Sequence, residues 1–487
     1  MISRLLGFLY KIYLTRVIST ETLGLYSIVL SIFMVFITLV SSGLPITISK
    51  ITASNKVQNK LQNTYSSVTG SLIIQLIFSI LLTLILLLFK SIFVNILGSL
   101  NSYYMLIALI PAIISSAIYS PFRGYLWGEE QYFKVSLVEF FEQVIKIVVL
   151  FILTKLSINL NSMFPLGITI SISHIISILI GVIYYFICGG KLSHKNIEYK
   201  PIINSSLPLT TTRFCASLMN PLTSLILPLQ LVKAGFTNSQ ALSMLGVAMG
   251  MTFPILTIPT TLIGSLATAL IPEIATLLKQ NNKEQLKRQI NTSILFTMCC
   301  SFLCFAVFLP LSNPVCELLF NNLDAGNYLY FSIWTIIPTG ISAITTSILN
   351  SLGQEKYTFR YFIYSAILSV LIIFVMPKFI GIHTLFVSIG LSSTLTYILN
   401  VYRINKTLNI NLSNKKYLFV LSVISLPCAL LTKWIYNIFY VMYGNIVAII
   451  LSSVVCVVCF ILLLISFNLI DVKVILSSLK TKKLKQK

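Results

Sequence analysis

The sequence predicts an all-α polytopic membrane protein with about fourteen transmembrane helices. Of its 487 residues, 56% are hydrophobic and only 9% are charged, and the mean hydropathy is +0.93. Apolar stretches of about twenty residues, long enough to cross a bilayer as a helix, recur along the whole chain. Few polar residues separate these stretches, so we expect one helical bundle without a separate soluble domain.

The apolar stretches form three groups along the chain. The first six lie near residues 2–18, 23–45, 66–89, 103–122, 133–154 and 163–188. After a polar stretch, six more lie near residues 205–232, 241–271, 290–312, 327–350, 357–377 and 382–402. Two further stretches lie near residues 417–439 and 444–467, and a lysine-rich end follows them.

This grouping divides the chain into five predicted segments. They are an N-terminal six-helix lobe, a cytoplasmic inter-lobe linker, a C-terminal six-helix lobe, two additional transmembrane helices and a basic cytoplasmic tail, at residues 1–190, 191–204, 205–403, 404–470 and 471–487. We expect the first span to stay in the mature protein, because Lys11 interrupts any signal-peptide core.

The two lobes share an internal repeat. WGEEQYFKV (127–135) and LGQEKYTFRY (352–361) both read Gly, polar, Glu, polar, Tyr in corresponding inner hairpins. Because six spans per lobe is an even number, both lobes have one orientation, and the axis that relates them lies along the membrane normal. Such a pair of lobes is expected to enclose a central cavity.

Lysine and arginine residues concentrate in alternate loops and in the C-terminal tail. Since cytoplasmic loops hold an excess of these residues, both termini are predicted to be cytoplasmic. This topology also explains the net charge of +22. The basic residues are scattered and lack interleaved aromatic residues, so we predict no nucleic-acid partner.

No motif for enzyme chemistry or metal binding is present. Most of the nine cysteines lie inside apolar spans, where CCSFLC (299–304) and CVVC (456–459) are typical of helix packing. The three histidines, at positions 174, 194 and 383, are isolated in the sequence, and we assign them no chemistry. The outer loops lack paired carboxylates. We therefore predict a protein that is not an enzyme and has no catalytic residue, metal or cofactor.

The first span carries three cations that a lipid-facing helix would not keep. A cation at the bilayer centre costs roughly 2.5–3.5 kcal/mol on insertion scales, so it usually faces a bundle interior or an aqueous cavity. Arg4 and Lys11 lie about two helical turns apart and share one face of the helix. We expect this face to line the cavity, whereas Arg16 is expected to reach the membrane surface.

Two further groups of ionisable residues lie within spans. In VEFFEQVIKIV (138–148), Glu139, Glu142 and Lys146 follow one helical stripe, and the last two are spaced to form an ion pair. A salt bridge that only supports packing is an equal alternative for this pair. Arg213 stands in the first span of the second lobe, without a partner in its own span. Cations outnumber carboxylates in these spans, which predicts a net cationic cavity and an anionic cargo.

The stretch SRLLGFLYKIYLTRVI, followed by LGLYSIVLSIFMVFITLVSSGLPITISK, resembles the start of the stage V sporulation protein B family of polysaccharide-type exporters. Later stretches of that family resemble LPLTTTRFCASLMNPLTSLILPLQL and GMTFPILTIPTTLIGSLATALIPEIA, so the resemblance covers nearly the whole chain. The family belongs to the multidrug, oligosaccharidyl-lipid and polysaccharide (MOP) exporter superfamily, which includes the bacterial lipid II flippases. The resemblance implies a V-shaped alternating-access transporter of the bacterial cytoplasmic membrane.

The lipid II flippases have a similar Ser-Arg-hydrophobic-hydrophobic-Gly-Phe stretch on their first helix, and its arginine faces the central cavity. Four residues of this chain match that stretch: Ser3, Arg4, Gly7 and Phe8. The resemblance therefore gives Arg4 the same role. One or two turns further on, where those flippases have other charged residues, this chain has Tyr10 and Lys11.

These observations together predict a flippase for an anionic undecaprenyl-diphosphate-linked saccharide, such as a lipid II-like peptidoglycan precursor for the spore cortex or the cell envelope. The diphosphate is expected to contact Arg4, Lys11 and Arg213, while the lipid tail stays in the bilayer. Glu139, Glu142 and Lys146 are expected to form a cavity ion pair or a coupling site.

Two alternatives remain open at this stage. The first is a cation-coupled multidrug antiporter of the same superfamily, which would use the carboxylates of the fifth span. The second is a non-transporting membrane scaffold that recruits envelope-synthesis enzymes. We expect a monomer whose partners are its lipid-linked substrate, membrane lipid and, in the scaffold alternative, those enzymes.

Overall fold

The computed structural model describes residues 2–58, 61–156, 158–195, 197–280, 283–408 and 415–467. All regular secondary structure within these residues is helical, which confirms the predicted all-α class. The predicted basic tail, 471–487, lies outside the described residues.

Contacts between described residues divide the chain into two compact units, Met1–Met251 with Ile373–Ile382 and Thr252–Ile372 with His383–Lys487. Twelve α-helices lie before the first boundary: α1 Ile2–Val17, α2 Thr20–Ser41, α3 Leu44–Val57, α4 Leu61–Leu88, α5 Lys90–Leu97, α6 Leu100–Ala108, α7 Ile110–Gly128, α8 Tyr132–Lys155, α9 Phe164–Ile187, α10 Tyr199–Ser217, α11 Met219–Lys233 and α12 Asn238–Gly246.

Nine α-helices follow: α13 Phe253–Lys279, α14 Lys283–Phe320, α15 Leu323–Ser332, α16 Ile336–Ser351, α17 Glu355–Val375, α18 Pro377–Ile380, α19 Thr384–Leu408, α20 Lys415–Tyr443 and α21 Asn445–Ser466. A π-helical turn, Val247–Thr252, joins α12 to α13, and short 3₁₀ turns lie at Leu160–Ser162, Ile333–Thr335 and Gly381–His383.

Twelve stretches of the described chain are long and apolar enough to cross a membrane. Two predicted spans do not meet this criterion. The α1 helix is only 16 residues long, and every 18-residue window of α8 contains Glu139, Glu142 and Lys146. The count of about fourteen is therefore not confirmed, and the two helices left out are those that carry most of the predicted site residues.

Helices α10, α11 and α12 all pack against α2 within the first unit. The α10 helix begins in the predicted linker, 191–204, and its remainder, together with α11 and α12, lies in residues that the sequence assigns to the second lobe, so the lobe boundaries stay a prediction. Two side-chain caps define this arrangement locally. The Ser19 hydroxyl accepts a hydrogen bond from the Thr22 amide at the start of α2, and Thr237 forms a capping box with Gln240 at the start of α12.

Two glycines let α2 and α12 approach each other at backbone distance. A Cβ atom on Gly24 would meet the Leu242 carbonyl, and a Cβ atom on Gly246 would meet the Thr20 carbonyl. Small residues are what close helix crossings in membranes require, because lipid gives no hydrophobic force to hold helices together. Further along, the buried hydroxyls of Ser31 on α2 and Ser224 on α11 lie 2.8 Å apart.

In the second unit, α20 and α21 pack against α14 and complete an apolar core. Buried cysteines from all three helices, among them Cys299, Cys428 and Cys456, belong to this core. The nine cysteines are all free thiols. The interpretation of CCSFLC and CVVC as packing residues agrees with this placement.

We predict that Gly24→Ala lowers the melting temperature of the detergent-solubilised protein. The added methyl group meets backbone atoms of α12, so the two helices must separate, and such overpacking typically costs about 1–3 kcal/mol. Gly264→Ala is the matched control, because Gly264 is also helical and an added Cβ has nothing within 4 Å. Alanine is the better helix former, so the control should melt at the same temperature or higher. Equal melting temperatures for both variants would contradict the close crossing.

Candidate functional site

A cavity of about 390 Å³ lies between α1, α2, α7, α8 and α9 in the first unit. Its lining is Ser3, Arg4, Gly7, Ile37, Ser41, Ser116, Tyr119, Arg123, Val138, Glu139, Glu142, Gln143, His174, Ser177 and Ile178. Ionisable residues inside membrane-spanning helices normally face such a space, because hydrocarbon penalises them. The cavity is therefore the candidate functional site.

The α1 helix brings Arg4 to this cavity. Gly7 faces Gln143 on α8, and the missing side chain lets the two helices lie close together. Further along the same contact, the Tyr13 hydroxyl lies 2.7 Å from the Thr154 hydroxyl. This packing places Ser3, Arg4 and Gly7 in one wall of the cavity.

Lys11 lies on the same helix but outside the cavity lining. Its side chain is half-buried. The shared face of Arg4 and Lys11 was the basis for expecting both at the cavity, but α1 runs past the lining before it reaches Lys11. The role expected for Lys11 stays a prediction.

Glu142 on α8 is the centre of the buried polar network. Its Oε1 atom lies 3.3 Å from Lys146 Nζ and 3.6 Å from His174 Nε2, and all three side chains are about four-fifths buried. The predicted i, i+4 pair of Glu142 and Lys146 is thus present. Lys146 Nζ also lies 5.8 Å from the centre of the Tyr10 ring, which joins the network to α1.

His174 on α9 belongs to this network, although the sequence gave no reason to pair it with another residue. Its Nδ1 atom lies 3.2 Å from the Ser116 hydroxyl on α7, and the Phe33 ring contacts the imidazole edge-on. The histidine thus connects α9 to three other helices, α2, α7 and α8. An ionisable residue in the middle of an apolar span is the signal that identifies such a position from sequence.

Arg123 on α7 also lines the cavity, although its position in the sequence suggested a loop. Its Nη2 atom donates a hydrogen bond of 3.0 Å to the Ser41 carbonyl at the end of α2. Its guanidinium lies 5.0 Å from the ring centre of Trp127, on the same helix. The α7 helix continues to Gly128, beyond the predicted end of the span, and this places Arg123 within the helix.

Arg213 on α10 is exposed and does not belong to the cavity lining. Its Nη1 atom donates a hydrogen bond of 3.1 Å to the Ser42 carbonyl. The partner that its own span lacks is therefore a backbone oxygen on a neighbouring segment. Substrate contact by Arg213 stays a prediction.

The lining itself holds as many carboxylates as guanidinium groups, so the cationic excess that the sequence predicted comes only from Lys146 beside it. Two guanidinium groups, of Arg4 and Arg123, face two carboxylates, of Glu139 and Glu142. Lys146 pairs with Glu142 from just outside the lining, so Glu139 is the carboxylate that remains to offset the arginines. In the described part of the chain, no three His, Cys, Asp or Glu side chains come together to hold a metal ion.

Comparisons with known proteins agree with this architecture. The polysaccharide biosynthesis protein family matches residues 1–278, and the MatE family matches residues 216–375. Stage V sporulation protein B of Bacillus subtilis (strain 168) is 22% identical over 445 residues, which are 87% of this chain and 85% of that protein. Sporulation protein YkvU of the same organism is 21% identical over 300 residues, which are 59% of this chain and 66% of that protein.

Two solved structures show the fold. Lipid II flippase MurJ in an inward closed conformation has a TM-score of 0.74 at 11% identity, over 96% of this chain and 97% of that chain. An inward-facing multidrug resistance MATE family transporter of the MOP superfamily has a TM-score of 0.70 at 16% identity, over 84% and 94%. Because the family match covers more than half of the residues, the chain belongs to the polysaccharide biosynthesis protein family, within the MOP exporter superfamily.

Proposed function

We propose that the protein flips an anionic undecaprenyl-diphosphate-linked saccharide across the bacterial cytoplasmic membrane by alternating access. The observation that carries this proposal is the pair of arginines, Arg4 and Arg123, in the wall of one cavity inside a membrane-spanning bundle. Guanidinium groups bind phosphate oxygens through two parallel charge-assisted hydrogen bonds, which a diphosphate can accept from each arginine.

The size of the cavity suits the head of such a substrate. A volume of about 390 Å³ lies within the range of small-molecule sites, roughly 300–1,000 Å³. It accommodates a diphosphate with its first sugar, whereas a long lipid chain must remain outside, in the bilayer. We therefore assign the cavity to the diphosphate and assign no catalytic chemistry to it.

The two ends of α2 support alternating access. Near its first turn, Glu21 Oε2 accepts a hydrogen bond of 2.6 Å from the Ser239 hydroxyl, and the hydroxyls of Thr20 and Ser243 lie 2.7 Å apart. These contacts hold α12 against α2 beside the glycine crossing. The cavity lies toward the opposite end of α2, which is cytoplasmic in the predicted topology. Transport then requires the α2–α12 contact to open while the cavity closes.

One observation favours a second candidate, a cation-coupled multidrug antiporter. Glu139 and Glu142 both line the cavity, and carboxylates there can bind an organic cation or a coupling ion. In the flippase proposal the same residues, with Lys146, form an ion pair or coupling site. A scaffold that recruits envelope-synthesis enzymes is the third candidate, and it predicts function without transport. The related proteins named above support a transporter and not an enzyme.

Arg4→Ala is expected to slow the translocation of fluorescent lipid II in proteoliposomes by about tenfold or more, because one charge-assisted contact to the diphosphate is lost. Arg16→Ala is the matched control, since it removes the same charge from the same helix but lies outside the cavity lining. The control should translocate at the wild-type rate. Wild-type translocation by Arg4→Ala would contradict the substrate site.

Glu142→Gln separates the two transporter candidates. A flippase should lose rate, because Lys146 and His174 lose their shared anion, and neither the wild type nor the variant should move an organic cation under an ion gradient. The two cargoes are assayed in parallel in the same vesicles. The opposite result would establish the antiporter: the wild type takes up the cation and does not move lipid II, and Glu142→Gln abolishes the uptake.

A disulfide between Thr20→Cys and Ser243→Cys is expected to block translocation reversibly. The two hydroxyl oxygens are 2.7 Å apart, so sulfur atoms in their place are within reach of each other. The experiment uses a background in which the nine native cysteines are replaced. Each single-cysteine variant serves as a control, and a reductant should restore transport. Unchanged transport in the oxidised double variant would show that this contact does not open during the cycle.

A further inference from the structure

A proline interrupts the hydrogen bonding between α2 and α3. The α2 helix ends at Ser41, α3 begins at Leu44, and Pro45 occupies the first turn of α3. In a continuous helix the amide of residue 45 would donate to the carbonyl of residue 41, but proline has no N–H group. The Ser41 carbonyl therefore has no helical donor and needs one from elsewhere.

Two arginines supply donors at this break. Arg123 on α7 donates to the Ser41 carbonyl at 3.0 Å, and Arg213 on α10 donates to the Ser42 carbonyl at 3.1 Å. Consecutive carbonyls at the C-terminal end of a helix carry partial negative charge, which favours cations there. The two contacts join segments that are 82 and 171 residues apart in the chain.

The backbone around the break is packed tightly on both sides. A Cβ atom on Gly43 would meet Thr210 Oγ1 and the Ser206 carbonyl of α10, and one on Gly124 of α7 would meet the Pro45 carbonyl. The α7 and α10 helices thus contact the same five-residue segment, 41–45. A change in the angle between α2 and α3 must move both arginines relative to the carbonyls they bind.

Arg123 is the member of this pair that faces the cavity. Its Nε atom is buried and has no hydrogen-bond partner among the described residues. A buried guanidinium donor without an acceptor is costly, and a phosphate oxygen in the cavity would supply the acceptor. An anion that accepts from both Nε and Nη2, as the two oxygens of a phosphate can, competes with the Ser41 carbonyl for Nη2.

We propose that Arg123 and Arg213 form a latch on the Pro45 break, and that a diphosphate in the cavity opens the latch by drawing the Nη2 hydrogen bond of Arg123 away from the Ser41 carbonyl. The proposal deepens the proposed function and rests on it for the identity of the anion. Once the carbonyl is released, α2 and α3 bend about Ser42 and Gly43. Binding of the cargo head thereby starts the movement that carries it across.

Thiol labelling at the break tests the latch directly. Ser42 is buried and its hydroxyl has no hydrogen-bond partner among the described residues, so Ser42→Cys in a background without native cysteines reports opening through its rate of reaction with a maleimide. Inorganic pyrophosphate is the probe. We expect it to raise the labelling rate severalfold with Arg123 present, whereas Arg123→Gln should label fast without it. Ser79→Cys, buried on α4 away from the break, is the control and should not respond.

Pro45→Ala provides the complementary variant. It returns an N–H group that can donate to the Ser41 carbonyl, so labelling at position 42 should become slow and insensitive to pyrophosphate, even when combined with Arg123→Gln. Arg123→Lys keeps the positive charge and serves as the alternative if Arg123→Gln does not fold. This variant should retain part of the pyrophosphate effect on the labelling rate. Two results would overturn the latch. The first is a labelling rate at Ser42→Cys that does not change with pyrophosphate when Arg123 and Pro45 are both present. The second is a labelling rate and a pyrophosphate response that Pro45→Ala leaves unchanged.

The flippase assay distinguishes failure of the latch from failure of the proposed function. If lipid II is translocated but labelling at position 42 does not respond to pyrophosphate, the latch is wrong and the function stands. If labelling responds and depends on Arg123 but lipid II is not translocated, the latch stands and the cargo is a different anion.

Discussion

An ionised carboxylate inside a membrane bundle needs polar partners, and Glu142 has two nitrogen atoms within 4 Å, Lys146 Nζ on its own helix and His174 Nε2 on α9. Separating these groups would leave a charge in a medium of low dielectric constant without compensation, so the contact between α8 and α9 is strongly constrained. The position of α1 depends on the same residues, because the Tyr10 ring lies against Lys146. The wall that presents Arg4 to the cavity exists because this pairing holds three helices together.

The α2 helix is held by a different kind of interaction at each end. Its first turns lie against α12 at a crossing that only glycine permits, because backbone atoms of the two helices meet there. Its last carbonyl, that of Ser41, has no helical donor, because Pro45 has no N–H group. A guanidinium N–H of Arg123 donates to this carbonyl instead. The first contact leaves no room for a side chain at the crossing. In the second, the arginine can donate to a different acceptor. In the proposed cycle both contacts change: the α2–α12 contact opens, and the arginine at the other end of α2 exchanges one acceptor for another.

Local spacing predicted the pairs that lie on one helix and missed those that join different helices. Glu142 and Lys146 are four residues apart, and their contact follows from helix geometry. The partners of His174 and Arg123 lie on other helices. The sequence therefore did not show that either residue contacts the cavity: His174 is isolated in the chain, and Arg123 follows the predicted end of a span. Periodicity predicts that Arg4 and Lys11 share a face of α1, but it does not say how far along α1 the cavity extends.

Composition and the recurrence of apolar stretches were sufficient to establish an all-α membrane protein, because hydropathy is a sum over consecutive residues and every such residue is visible in the chain. The spans that it predicted at residues 2–18 and 133–154 are the two that are not confirmed, since α1 is short and α8 is charged. The charges that line the cavity and the partners of His174, Arg123 and Arg213 emerge only in the folded molecule. They depend on distances between residues that are 32 to 171 positions apart, and those distances arise only when the helices pack.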